Sequence, residues 1–98
     1  MLVFAVRYFH TDNMTEKPGY HLTDIPKGEI GESSKILEEV LELQDAEAQE
    51  AKIMALVELS DLMGAIALYL EKHHPSTSID DLIRMSRITR RAFENGRR

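Results

Sequence analysis

The stretch Ile53-Met54-Ala55-Leu56-Val57-Glu58-Leu59-Ser60-Asp61-Leu62-Met63-Gly64-Ala65-Ile66-Ala67-Leu68-Tyr69-Leu70 decides the reading of this chain. It is apolar on nearly every side, and its only charged residues are Glu58 and Asp61. A helix that is apolar all round is a buried helix. Two carboxylates inside such a helix are costly unless they are paired or hold a metal. A membrane span would set both acids near its centre, where such groups are rare. The stretch is therefore read as the core helix of a bundle, running from about Lys52 to His73 and stopping before Pro75, because the residue ahead of a proline disfavours the helical region.

Upstream lies Glu38-Glu39-Val40-Leu41-Glu42. On a helix Glu39 and Glu42 share a face, as do Glu38 and Glu42. The apolar residues Ile36, Leu37, Val40, Leu41 and Leu43 form a stripe on the other side. Alone, this is the pattern of a solvated acidic face. Geometry joins it to the second motif. On one continuous helix Glu42 and Glu58 would stand about 24 Å apart, at about 1.5 Å per residue. If the chain folds back near Glu50, an antiparallel pair matches residues whose numbers sum to 100. Glu42 then faces Glu58, and Glu39 faces Asp61. Four carboxylates in one layer repel one another unless a cation lies between them, and hard oxygen donors suit Mg²⁺, with Mn²⁺ as the alternative. No Gly or Pro between Gln44 and Lys52 marks the required turn.

Ser33 or Ser34 is the expected cap of the first helix. A third helix is predicted from Ser78 to about Asn95. Ser78-Ile79-Asp80-Asp81 is a capping pattern with Asp in place of Glu, and Gly96 is the expected stop. Before the helices, Leu2–Phe9 favours an extended strand, Thr11–Gly19 is polar and turn-like, and Tyr20–Gly31 reads as a loop or a second strand that would close a β-hairpin. The expected architecture is one all-α domain over residues 1–98. Residues 1–31 form an extended or loop segment, and 32–98 form an antiparallel helical hairpin plus a third helix that assembles as a bundle in an oligomer.

Composition sets outer bounds. The chain has 98 residues, no cysteine and a net charge of −5, so a disulfide framework is excluded and bulk electrostatics give no reason to expect nucleic acid. With no basic n-region ahead of the apolar start, the expected location is the cytoplasm. Charge is divided along the chain: acids concentrate between Glu29 and Glu50, and Arg84, Arg87, Arg90, Arg91, Arg97 and Arg98 fall in the last fifteen positions. That division suits a metal with a polyanionic ligand, and it equally suits acid–base pairing of surfaces.

The pattern Glu38-Glu39-x-x-Glu42, fifteen residues, then Glu58-x-x-Asp61 resembles that of the MazG-like all-α nucleoside triphosphate pyrophosphatases, over roughly Gly31 to Arg98. The flanks Ser34-Lys35-Ile36 and Gly64-Ala65-Ile66 resemble small phage-encoded members, which would work in the host cytoplasm. The resemblance implies hydrolysis of a (deoxy)nucleoside triphosphate between the α and β phosphates, Mg²⁺ dependence, and homodimers or homotetramers. On that reading Glu39, Glu42, Glu58 and Asp61 are the metal ligands. Glu38 is the candidate that orients or deprotonates water. Lys35, Arg87 and Arg91 are the candidate phosphate contacts.

Bland readings stand beside these. Lys35 pairs equally well with Glu38 or Glu39, and Arg84, Arg87 and Arg91 equally well form a solvent face. His73 and His74 suit a helix C-terminus. His10 and His21 lack a partner spacing for a metal site. Met54, Met63 and Met85 read as core filler. Tyr20, His21 or Phe93 are available to a base, but nothing selects among them. Two non-enzymatic alternatives remain. A helical oligomerisation module explains the apolar helix without its acids. A divalent-cation-binding regulator explains the acids, but no EF-hand loop is present in the sequence to support it.

Overall fold

The computed structural model describes residues 21–96. They are all-helical with no strand among them: α1 (Ser33–Ala48), α2 (Lys52–His73) and α3 (Ile79–Glu94). The expected strand over Leu2–Phe9 and the turn over Thr11–Gly19 lie outside the described residues. Residues 21–32 are irregular rather than a second strand.

α1 begins one step earlier than its serines suggest. Glu32 is the N-cap, in extended conformation and without a side-chain capping bond. Ser33 and Ser34 are already helical, and the Ser34 hydroxyl accepts instead from the Glu29 N–H at 3.0 Å. α1 ends in a Schellman arrangement. Glu50 donates to the Glu47 carbonyl at 2.9 Å and Ala51 to that of Ala46 at 3.1 Å. Glu50 adopts φ 56°, the left-handed region usually taken by glycine. This is the fold-back point that the carboxylate register required.

α2 follows the apolar run to its end. His74 is its C-cap, with its N–H bonded to the Leu70 carbonyl at 2.8 Å. The His73 side chain does a different job: it meets Glu32 at 3.0 Å, and Lys72 pairs with the same carboxylate. The end of α2 is thereby tied to the start of α1, as an antiparallel hairpin demands. α3 opens with a complete capping box. The Ser78 hydroxyl accepts from Asp81 N–H and the Asp81 carboxylate from Ser78 N–H. Asn95 is its C-cap, and Gly96 follows at φ +70°.

The interior is unusual in what it holds. Among the described residues Ala46, Ala65 and Leu70 are the buried apolar ones; Glu38, Glu39, Glu42, Asp45 and Glu58 are buried as well. The acidic face of α1 is therefore the face packed on α2, not a solvated one. Its apolar stripe lies half-buried or, at Leu37, exposed. α2 in turn leaves Ile53 (75% exposed), Leu56 (67%), Leu59 and Met63 open. One neighbour covers one stripe of a helix, and among the described residues that neighbour is chiefly α1, with less contact from α3. Met63 and Met85 are exposed rather than core residues, and Met54 is half-buried. By length and composition alone α2 could cross a membrane. Its pairing with α1 through buried acids is the arrangement of a bundle helix.

Candidate metal centre

The α1–α2 interface brings Glu39, Glu42, Glu58 and Asp61 together. One carboxylate oxygen from each lies within 4.8 Å of the others. Glu58 is fully buried, Glu39 and Glu42 nearly so, and Asp61 is half-buried at the open side. The periodicity of the two helices accounts for this directly. Residues three apart on each helix point the same way, and the Glu50 turn sets the two pairs face to face.

Glu38 sits outside this group. Its Oε1 accepts from the Gly28 N–H at 2.9 Å and from Lys35 Nζ at 3.1 Å. It anchors the segment preceding α1. Gly28 is required there, because a Cβ on residue 28 would collide with the Ser34 carbonyl. Lys35 bridges Glu38 and Glu39, at 3.1 Å from each. Burial pulls the Lys35 ammonium pKa down, but the hydrogen bonds it donates to the Glu38 and Glu39 carboxylates outweigh it and leave it above the ordinary lysine value.

Arg87 and Arg91 are exposed on α3 and form no ion pair among the described residues. Arg84 lies 3.7 Å from Asp81, its own neighbour on the helix. The chain thus brings the four expected carboxylates together and does not bring Arg87 and Arg91 to them.

Two residues join the site that spacing did not identify. His21, read from sequence as lacking metal-site partners, reaches it from the irregular segment. Its Nε2 stands 3.7 Å from Glu42 Oε1 and 4.0 Å from Glu58 Oε2, and its Nδ1 3.4 Å from Asp45 Oδ1. His21, Glu42 and Glu58 form a second set of ligand atoms with metal-site spacing. Asp45 holds the segment in place. It accepts from the Leu22 and Thr23 N–H groups, from the Thr23 hydroxyl and from Gln49 Nε2, at 2.7–3.0 Å. Burial pushes the Asp45 carboxyl up, and the bonds from Leu22, Gln49 and Thr23 overcome it and hold the carboxyl below the usual aspartate value. Asp45 follows Glu42 by three residues, so an extension of the acidic stripe by one step is the signal that could have found it. Nothing local to His21 signals a partner more than twenty residues away.

Compared with models of known protein families, with curated proteins and with solved structures, the chain finds no match.

Proposed function

We propose that this chain is a Mg²⁺-dependent nucleoside triphosphate pyrophosphohydrolase. The observation that carries the reading is the convergence of Glu39, Glu42, Glu58 and Asp61, with ligand atoms within 4.8 Å of one another at the centre of a helical hairpin. Oxygen donors on rigid helices fit a small hard cation. Three of these acids are buried, and buried carboxylates are retained where they are paired or hold a cation. Hydrolysis between the α and β phosphates rests on the resemblance of the Glu38–Asp61 pattern to the MazG-like enzymes.

A divalent cation bound here would neutralise the triphosphate and polarise the attacked phosphorus. The chain supplies the rest. Lys35 holds Glu39 in place and carries a positive charge at the rim. Glu38 fixes the preceding segment through one oxygen, so any role in orienting water falls to the other. Arg87 and Arg91 reach a triphosphate from a second protomer. The exposed apolar face of α2 favours such an assembly: a second copy placed there would complete a four-helix core, as a homodimer or as half of a homotetramer. Gly64 on that face permits close approach, whereas Ala65 is already buried. The working location is the cytoplasm.

The test is incubation of the full chain with each nucleoside triphosphate and Mg²⁺, with products resolved by chromatography. Monophosphate and pyrophosphate support the reading. Diphosphate and orthophosphate, without pyrophosphate, defeat it. Cation binding with no turnover of any nucleotide would instead mark a divalent-cation-binding regulator.

A further inference from the structure

His21 is placed like a ligand. Its side chain is about nine-tenths buried, at 9% exposure, on an irregular segment that α1 holds by hydrogen bonds. Its Nε2 is 3.7 Å from a Glu42 oxygen and 4.0 Å from a Glu58 oxygen. Those separations are too long for hydrogen bonds. They match two ligands of one cation. Donors at about 2.1 Å from a metal stand about 3.0 Å apart at right angles and about 4.2 Å apart when opposed. The other ring nitrogen faces Asp45 Oδ1 at 3.4 Å. A carboxylate behind the distal nitrogen of a histidine is the arrangement that fixes the tautomer and orientation of a metal-bound imidazole.

We propose that His21 is a nitrogen ligand of a second cation position, formed with Glu42 and Glu58 beside the four-carboxylate position, and that Asp45 is its positioning residue. The two positions share Glu42 and Glu58. The first has only oxygen donors and suits Mg²⁺. The second mixes one imidazole with two carboxylates, a set that suits Zn²⁺, Co²⁺ or Mn²⁺. Asp45 acts at a distance from the metal. Its bonds to Leu22 and Thr23 set where residue 21 stands, and its Oδ1 carries a negative charge 3.4 Å from Nδ1. The inference rests on the cation-binding half of the proposed function and not on the reaction.

Zn²⁺ alone is the probe. The full chain, labelled with ¹⁵N at its histidines, is titrated with Zn²⁺ and followed by the imidazole nitrogen resonances, with His21 assigned by its loss in His21→Gln. The expected result is a large shift at the His21 Nε2. His21→Gln should weaken Zn²⁺ binding by calorimetry at least tenfold. Asp45→Asn should weaken it about 10- to 100-fold while leaving Mg²⁺ binding unchanged, whereas general damage to the hairpin would weaken both. Circular dichroism verifies that each variant is folded. Should Asp45→Asn lose its helices, the wild-type titration decides alone. A saturating Zn²⁺ titration that leaves His21 unmoved, or moves only His73 and His74, overturns the inference, as does the absence of Zn²⁺ binding. Pyrophosphate release with an unmoved His21 overturns this inference and leaves the reaction standing. A shifted His21 without pyrophosphate release does the reverse.

Discussion

Replacing Glu58 by Gln should reverse its effect on stability according to whether metal is present. Glu58 is fully buried, and Gln keeps its shape while removing its charge. In the metal-free protein Glu58 faces three other carboxylates, with oxygens within 4.8 Å. At an effective dielectric of about 20, each such pair repels by about 3 kcal/mol. Lys35, 3.1 Å from Glu39, offsets part of the total. A net gain of about 1–3 kcal/mol is expected for Glu58→Gln in chelator. For a domain of this size each kcal/mol moves the melting temperature by about 4–8 °C, so the variant should melt clearly above wild type. Saturating Mg²⁺ acts oppositely. At about 100 times its dissociation constant it adds about 2.7 kcal/mol to the protein that binds it, about 10–20 °C for wild type and little for the variant. The order of melting temperatures by circular dichroism, with EDTA and then with Mg²⁺, should therefore invert. A variant that melts below wild type in EDTA and still gains the full Mg²⁺ increment would refute the electrostatic account of the cluster.

Three further outcomes are expected. Ser78→Ala removes the capping box of α3 and should cost about 1 kcal/mol, read as a melting temperature lower by about 4–8 °C; no change would mean that α3 is held by assembly rather than by its own cap. Glu32 is held below its ordinary pKa by hydrogen bonds from Lys72 and His73. Its contribution to stability is thus present above the unfolded value of 4.5 and is lost as pH falls through the lower folded value. Glu32→Gln should flatten the melting temperature profile below about pH 4.5 relative to wild type, and an unaltered acid limb would count against the tie between α1 and α2. Finally, light scattering at micromolar concentration should give at least twice 11.2 kDa, and Leu56→Lys should shift the protein toward that monomer mass. An active wild-type monomer would show that the open face of α2 needs no partner.

The parts of this structure legible in the sequence are those governed by local rules. Pro75 stops α2, the Ser78 and Asp81 pair starts α3, and Gly96 ends it, each through backbone chemistry within a few residues. The four-carboxylate layer was legible because a three-residue spacing on each helix and one assumed turn suffice to pair Glu42 with Glu58. The turn itself was hidden. Glu50 takes a left-handed conformation that sequence reading assigns to glycine, and the fold tolerates it because Ala46 and Glu47 gain partners for their carbonyls. The first cap lies one residue ahead of the serines because the Ser34 hydroxyl accepts from Glu29 instead. His21 was not legible at all. Its place depends on Asp45 binding the backbone of Leu22 and Thr23, and backbone acceptance leaves no mark on residue type. The covered face of α2 is hidden for a related reason: composition marks the helix as apolar all round, and which face is covered depends on where α1 packs.

The three-residue connection between Ala48 and Lys52 sets the helical phase of the hairpin as well as its direction. One extra residue there, taken up as helix, would rotate α2 by about 100° relative to α1 and advance it by about 1.5 Å. Glu58 and Asp61 would swing away from Glu39 and Glu42, and aliphatic side chains would face the acids instead. The identity of residue 50 is therefore negotiable, since any residue that accepts a positive φ will serve. The number of residues is not. Among sequences sharing this hairpin, substitutions should accumulate in the connection while insertions and deletions are excluded from it. Length variation should fall instead between α2 and α3, where no ligand depends on the relative rotation of the two helices.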